Sequence, residues 1–321
     1  MEVSRDQAVE FARIYARMVE NVGHALLGKA SVIRLVLSAL FAEGHVLLED
    51  APGTGKTALA RAVSRTIDST SSRIQFTPDL LPTDITGVTI YDQKSQDWEF
   101  HRGPIFASIV LADEINRASP KTQSALLEVM EEGKVTVDGV RHDAGKPFLV
   151  IATQNPVEQA GTYPLPEAQL DRFLVKASVG YPSGEAAVAV LAGAATPDRS
   201  LNLRPVITAR EVAEMIWVAS HNHTDPAILA YIQALVEATR NDPQTLLGVS
   251  TRGALGMVRM ARVWAIAQGR NYVLPDDVKA LAPVVWPHRI IMDPDAAFTG
   301  ATSTAVVERA LANVAVPTVG A

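Results

Sequence analysis

The sequence contains no cysteine. That single absence excludes disulfide bridges, thiolate metal sites, iron–sulfur clusters and cysteine nucleophiles together. A long apolar run is also missing: the most apolar early stretch, residues 30–40, carries Arg34 and is far too short to cross a bilayer. The opening Met1-Glu2-Val3-Ser4-Arg5-Asp6 is charged and lacks the apolar core of a secretory signal, so a cytoplasmic, soluble chain is expected. Positive charge is not in excess. Lysine and arginine number 29 against 35 aspartates and glutamates, a net charge of −6. That balance argues against nucleic acid held by bulk charge, although it leaves room for a local basic channel.

What is present is ample core material. Of the 321 residues, 48% are hydrophobic and 20% charged, enough for about two domains, or one large domain with a satellite. Residues 5–42 are rich in helix formers, with Phe11, Ile14, Tyr15 and Met18 at three-to-four spacing. Gly44-His45-Val46-Leu47-Leu48-Glu49 reads as a buried strand, followed by a Gly-rich turn and a helical pattern over 58–67. Further apolar runs at 109–112 and 148–153 indicate a parallel α/β sheet. Two alternating hairpins interrupt it, at 88–91 with 98–101 and at 134–141 around an Asp138-Gly139 turn. The helix between them is delimited by Ser119-Pro120 and Gly133. Beyond Thr208 only helical patterns are found, opened by Thr208-Ala209-Arg210-Glu211 and Asp225-Pro226. The expected division is an α/β core over 1–181, a linker over 182–207 and an all-helical domain over 208–321. Trp217, Trp264 and Trp286 are expected in the helical core, and Arg204, Arg210, Arg240, Arg259, Arg262 and Arg270 at its surface.

The turn after the first strand is Asp50-Ala51-Pro52-Gly53-Thr54-Gly55-Lys56-Thr57, leading into Ala58. A phosphate chain needs backbone N–H groups at close range, which Gly53 and Gly55 permit, and the following helix points its positive end at the anion. Lys56 is placed to reach the β- and γ-phosphates of a nucleotide, and the Thr57 hydroxyl to ligate Mg²⁺. The first glycine of the usual pattern is replaced by Asp50. An acid facing phosphates is unfavourable, so its side chain is expected to point away from them.

Downstream, the strand Ile109-Val110-Leu111-Ala112 ends in Asp113-Glu114. Adjacent strand residues point to opposite faces, so the two acids are expected to divide the work. Asp113 would hold Mg²⁺ through its water shell, and Glu114 would orient and polarise an attacking water. A water-positioning glutamate suits hydrolysis of the γ-phosphate rather than its transfer to a second substrate.

At this point the chain resembles the AAA+ ATPases and, within them, the MoxR family. The resemblance rests on the phosphate loop, Gly103-Pro104-Ile105-Phe106-Ala107, Asp113-Glu114-Ile115-Asn116-Arg117-Ala118 and Ile151-Ala152-Thr153-Gln154-Asn155-Pro156. Its most specific block is Pro164-Leu165-Pro166-Glu167-Ala168-Gln169-Leu170-Asp171-Arg172-Phe173. The resemblance implies a P-loop core with a parallel sheet, hairpin inserts in the second helix and before sensor 1, and an all-α lid. It implies ATP bound by Ala51, Pro52, Gly53, Thr54, Gly55, Lys56, Thr57 and Ala58, with Val22 and Gly28 ahead of the first helix contacting adenine. Asn155 takes the sensor-1 role, its alternative being an Asn-Pro turn starter. Arg172 falls where an arginine finger reaches a neighbouring subunit, its alternative being a helix-end arginine; Arg117 is a second candidate for that contact. Arg252 takes the sensor-2 role, coupling the γ-phosphate to the lid angle. A ring, in number a hexamer, is implied, acting as a chaperone or maturation factor on a protein partner such as one with a von Willebrand factor A domain. The hairpins would engage that partner or only complete subunit packing. A nucleic-acid motor of the same AAA+ branch is the rival reading, and a passive ATP-binding module a third.

Overall fold

The computed structural model describes residues 3–50, 53–155, 162–182, 184–193 and 198–317. In chain order the elements begin with α1 (Arg5–Ala25), α2 (Ala30–Phe41), β1 (Val46–Glu49), α3 (Lys56–Thr66) and β2 (Ser71–Gln75). Then come α4 (Pro82–Thr86), β3 (Gly87–Asp92), β4 (Asp97–Arg102), β5 (Ile109–Asp113), α5 (Pro120–Glu132), β6 (Lys134–Val137), β7 (Val140–Asp143) and β8 (Leu149–Gln154). After α6 (Glu167–Leu170), β9 (Val175–Ala177) and α7 (Gly184–Ala192), the chain runs through α8 (Ala209–Ser220), α9 (Pro226–Arg240), β10 (Thr245–Leu247) and α10 (Thr251–Ile266). It ends with α11 (Pro275–Val285), β11 (Ile291–Met292), α12 (Pro294–Phe298) and α13 (Ser303–Asn313).

The main sheet has the order β2-β5-β8-β1-β9. The pairs β2–β5, β5–β8 and β1–β8 are parallel. All five residues of β5 are buried, as are Leu149 to Thr153 of β8, which explains why both strands read as unbroken apolar runs. Parallel pairing also brings the carboxyl ends of β1, β2, β5 and β8 to one edge, where ligands of open α/β sheets bind.

Both expected hairpins form, β3 with β4 and β6 with β7. In the second, Asp138 and Gly139 both have positive φ (50° and 78°), the geometry that a two-residue type I′ turn requires. α5 is capped as its sequence indicates: the Ser119 hydroxyl accepts from the Thr122 N–H and Gly133 closes the helix at φ 64°. A stack of Phe100 on His142, with centroids 4.0 Å apart, joins the two hairpins.

The chain forms two compact units, neither contiguous in sequence. One comprises Met18–Leu165 and Ala177–Ala213; the other, mainly helical, comprises Met1–Arg17, Pro166–Lys176 and Glu214–Ala321. The division expected from the sequence (1–181, 182–207, 208–321) differs from these units. Residues 1–17 and 166–176 pack with the helical unit, and 182–207 contains α7 and a 3-10 turn at Arg199–Asn202. The helical unit also holds a short antiparallel ribbon, β10 with β11, which the helical periodicity around it concealed. Of its tryptophans only Trp286 lies fully in the core; Trp217 is 48% exposed and rests on the His221 ring. Arg270 is not a solvated flank, because both its terminal nitrogens bond Asp277, at 2.8 and 2.6 Å. Among the described residues no helix is long and apolar enough to cross a membrane.

Candidate active site

The phosphate loop leaves the sheet at the end of β1. Ala51 and Pro52 lie outside the described residues, but the turn that follows has the conformation its glycines permit. Gly53 and Gly55 have φ values of 82° and 95°, and among the described residues a Cβ on either would meet nothing within 4 Å. α3 starts directly after Gly55 without a side-chain cap. The helix dipole favours an anion at that end. Thr54 is buried, while Lys56, Thr57 and Ala58 are half-buried in the first turn. The Lys56 ammonium donates to the Asp50 carbonyl at 3.1 Å. The Asp50 side chain is held by the opposite partner: its carboxylate accepts from Ser178 Oγ (2.7 Å), the Val179 N–H (2.6 Å) and the Gly180 N–H (3.0 Å).

The two acids sit at the end of β5, on the same edge with β8 between it and β1. Asp113 is the last residue of β5; Oδ1 accepts the Thr153 hydroxyl proton at 2.6 Å and Oδ2 pairs with Arg73 at 2.7 Å. Glu114 departs from the expectation that strand alternation would separate the acids. It has already left the strand, in the left-handed region at φ 58° and ψ 49°, so a backbone reversal turns it away from Asp113. The Glu114 N–H donates to Thr153 Oγ1 at 2.9 Å. One hydroxyl thus fixes both acids. Glu114 Oε2 accepts from Gln75 Nε2 (3.0 Å) and Arg117 Nη1 (3.1 Å). Arg117 therefore reaches its own chain's Glu114. Asn155 is buried at the end of β8, one residue after Gln154, whose carbonyl accepts the Asp50 N–H at 3.2 Å.

Arg172 and Arg252 both belong to the helical unit; Arg172 follows Asp171 in the chain, and Asp171 gathers several of the surrounding side chains. Ser250 caps α10, accepting from the Gly253 N–H and donating to the Asp171 carboxylate at 3.0 Å. Arg252 Nη1 approaches Asp171 Oδ2 at 3.9 Å. Arg289, with a side chain only 2% exposed, bonds Asp171 Oδ1 at 2.5 Å and the carbonyls of Asp171, Phe173 and Val285. A Cβ on Gly253 would stand 3.0 Å from Arg289 Cδ, and one on Gly256 2.9 Å from Leu174 Cδ1. Small residues on α10 thus let the 171–174 segment and Arg289 pack closely. Burial depresses the Arg289 pKa and the Asp171 charge opposes that. Burial also pushes the neighbouring His288 down to about 3, helped by the Arg289 charge.

The adenine assignments fare differently. Val22 does not precede the first helix; it is fully buried inside α1, because the apolar periodicity continues to Leu26. Gly28 does lie between α1 and α2, at φ 72°, where a Cβ would meet Ala186 of α7 at 2.8 Å.

Sequence reasoning passed over Arg73, Gln75, Thr153, Asp171, Ser250 and Arg289. Arg73 and Gln75 carried a signal: two polar residues at period two put their side chains on one face of β2, and Gln75 pairs in register with Asp113.

Comparison with known proteins shows the family and the fold. Residues 45–175 match the family described as "ATPase family associated with various cellular activities (AAA)", and residues 237–310 match an AAA lid domain. The chain is 48% identical to the uncharacterized protein YeaC of Bacillus subtilis, over 95% of both chains. It is 40% identical to the chaperone MoxR1 of Mycobacterium tuberculosis, over 95% of this chain and 83% of the relative. A crystal structure of a protein assigned as an ATPase, from Cytophaga hutchinsonii, superposes with a TM-score of 0.91 at 36% identity, over 97% of each chain. With a phosphate loop, paired strand-end acids and a lid in this order, the chain belongs to the MoxR family of AAA+ ATPases.

Proposed function

We propose that this protein hydrolyses ATP with Mg²⁺ within a ring, a hexamer in the reading favoured by its family, and uses the cycle to remodel a protein partner. The observation that carries this reading is the pair Asp113 and Glu114, fixed at the sheet edge by one hydroxyl beside the phosphate loop.

The residues fit a magnesium nucleotide. The positive-φ glycines Gly53 and Gly55 and the amino end of α3 suit phosphate oxygens, and Thr57 and Asp113 are the hard oxygen donors that such a cation takes. Bound Mg²⁺ supplies neutralisation of the β- and γ-phosphate charge. Lys56 exchanges the Asp50 carbonyl for phosphate oxygens. Glu114, positioned by Gln75 and Arg117, orients a water and draws its proton; Asn155 helps to align that water; Arg172 and Arg252 answer the charge that develops on the γ-phosphate. Gly28 borders the adenine end.

The M. tuberculosis relative is named a chaperone, which favours a protein partner, and a von Willebrand factor A domain is the type we propose. The β3–β4 tip supports a protein over a nucleic acid. It exposes Trp98 (66%) and Tyr91, which pack edge to face, beside the pair Asp92 and Asp97. Hydrogen bonds from the Lys94 N–H and Ser95 hydroxyl lower the Asp92 pKa, so this rim is anionic at neutral pH and repels a phosphate backbone.

Glu114→Gln tests the assignment. It should bind ATP as the parent does while steady-state turnover drops by about 10²-fold or more; a variant that hydrolyses normally refutes the role. Hydrolysis stimulated by DNA, with steep salt dependence, would instead restore the nucleic-acid motor.

A further inference from the structure

We propose that Asp50 is a positioning residue that ties the state of the phosphate loop to residues 178–180 and, through β9, to the segment carrying Arg172. This rests on the ATPase reading above.

The usual loop has glycine where Asp50 stands, so nothing about cradling phosphate demands a carboxylate. Asp50 is nevertheless 5% exposed, and a buried ionised carboxylate is tolerated only when it is well supplied with donors. Among the described residues it has three, all from 178–180. The two successive N–H groups of Val179 and Gly180 converge on one carboxylate, with Gly180 at φ 63°, a conformation that favours glycine.

The same residue is tied through its backbone. Its N–H donates to Gln154, next to Asn155, and its carbonyl accepts the Lys56 ammonium. Lys56 must turn toward the phosphates when a nucleotide binds, which removes that donor from Asp50. Residue 50 is thus where a change at Lys56 is felt by residues 178–180. These follow directly on β9, and β9 follows the segment that carries Arg172. A second anchor makes the segment a defined relay: Lys29 Nζ donates to the Tyr181 carbonyl at 2.7 Å.

The test compares the parent with Asp50→Gly, which restores the usual loop residue, and with Ser178→Ala, which leaves the loop untouched. Hydrogen exchange of peptides spanning 178–182 is followed with and without a non-hydrolysable ATP analogue and Mg²⁺, alongside nucleotide Kd and kcat. In the parent, the analogue should change exchange at Val179 and Gly180. In Asp50→Gly that response should vanish, with Kd within about threefold of the parent and kcat reduced by about tenfold or more, as expected for misplacement away from the reacting atoms. Ser178→Ala should show a weaker version of the same split. A merely structural role would lower stability but leave the nucleotide response at 178–180 and kcat intact, and that result overturns the proposal. If Asp50→Gly does not fold, an unaltered Ser178→Ala overturns it equally. A parent that binds the analogue but does not hydrolyse ATP defeats the ATPase reading while the exchange data still decide the coupling; a parent that binds no nucleotide defeats both.

Discussion

His288 shows how one buried side chain sets a pH limit on the helical unit. Its Nε2 is 2.9 Å from the Phe173 carbonyl, so the neutral tautomer with the proton on Nε2 satisfies that acceptor. Charging the ring would put a second cation beside buried Arg289. The folded pKa of about 3 lies below the ordinary value of 6.5. Above pH 6.5 neither folded nor unfolded state takes the proton and stability is level. As pH falls below 6.5 the unfolded state binds it first, so stability declines until the folded pKa is reached. Denaturant titrations at pH 7 and pH 5 should therefore show a loss from this site of up to about 1.4 kcal/mol per pH unit below 6.5. His288→Gln, uncharged throughout, should flatten that part of the profile; an unchanged slope would contradict the assignment. The residue scale also shows where reading the sequence stopped. Lys56, Thr57, Asp113 and Glu114 stood in local patterns with their neighbours. Thr153 did not: its hydroxyl meets Asp113 only because β8 lies beside β5, a pairing between distant segments. Asp171 and Arg289 are further apart still, and neither carries a mark of the other.

Elements are where local chemistry spoke most clearly. The cap of α5 and the Asp138-Gly139 turn formed as written because every atom involved lies within a few residues. Those same signals say nothing about how the hairpins are rooted. The base of β3–β4 depends on Gly87 and Gly103, which cross so closely that a Cβ on Gly103 would lie 2.2 Å from the Ile85 carbonyl and 2.5 Å from the Gly87 nitrogen. Both obstacles are backbone, so no side-chain rotation relieves them. Gly103→Ala should lower the thermal midpoint and weaken protection of the β3–β4 amides, while β6–β7 keeps its own. A midpoint within error of the parent would show that the crossing relaxes freely. β10 and β11 were illegible for a complementary reason: strands of three and two residues are too short to establish a period.

At the scale of the whole molecule, the arginine assignments become a question about neighbours. If Arg172 acts on an adjacent subunit, Arg172→Ala rings should bind ATP yet lose about 10³-fold or more in turnover. Mixing them with Lys56→Ala subunits, which retain the finger but bind nucleotide poorly, should restore part of the rate, because some interfaces then combine an intact loop with an intact arginine. Subunit exchange is verified by mass spectrometry of the mixed rings. With exchange established and no rate recovered, Arg172 does not act across the interface and the finger assignment fails.

The discontinuous helical unit also has a consequence in time. Residues 3–17 leave the ribosome early and Phe173 and Leu174 midway, but their companions in α10 and around His288 and Arg289 come last. At synthesis rates of about 5–20 residues per second, the Phe173 carbonyl waits roughly 6–23 s for the His288 ring that bonds it to be made. Until then two large apolar side chains destined for burial are in water. The nascent chain is thus open to capture by chaperones during an interval set by translation speed rather than by its own folding rate.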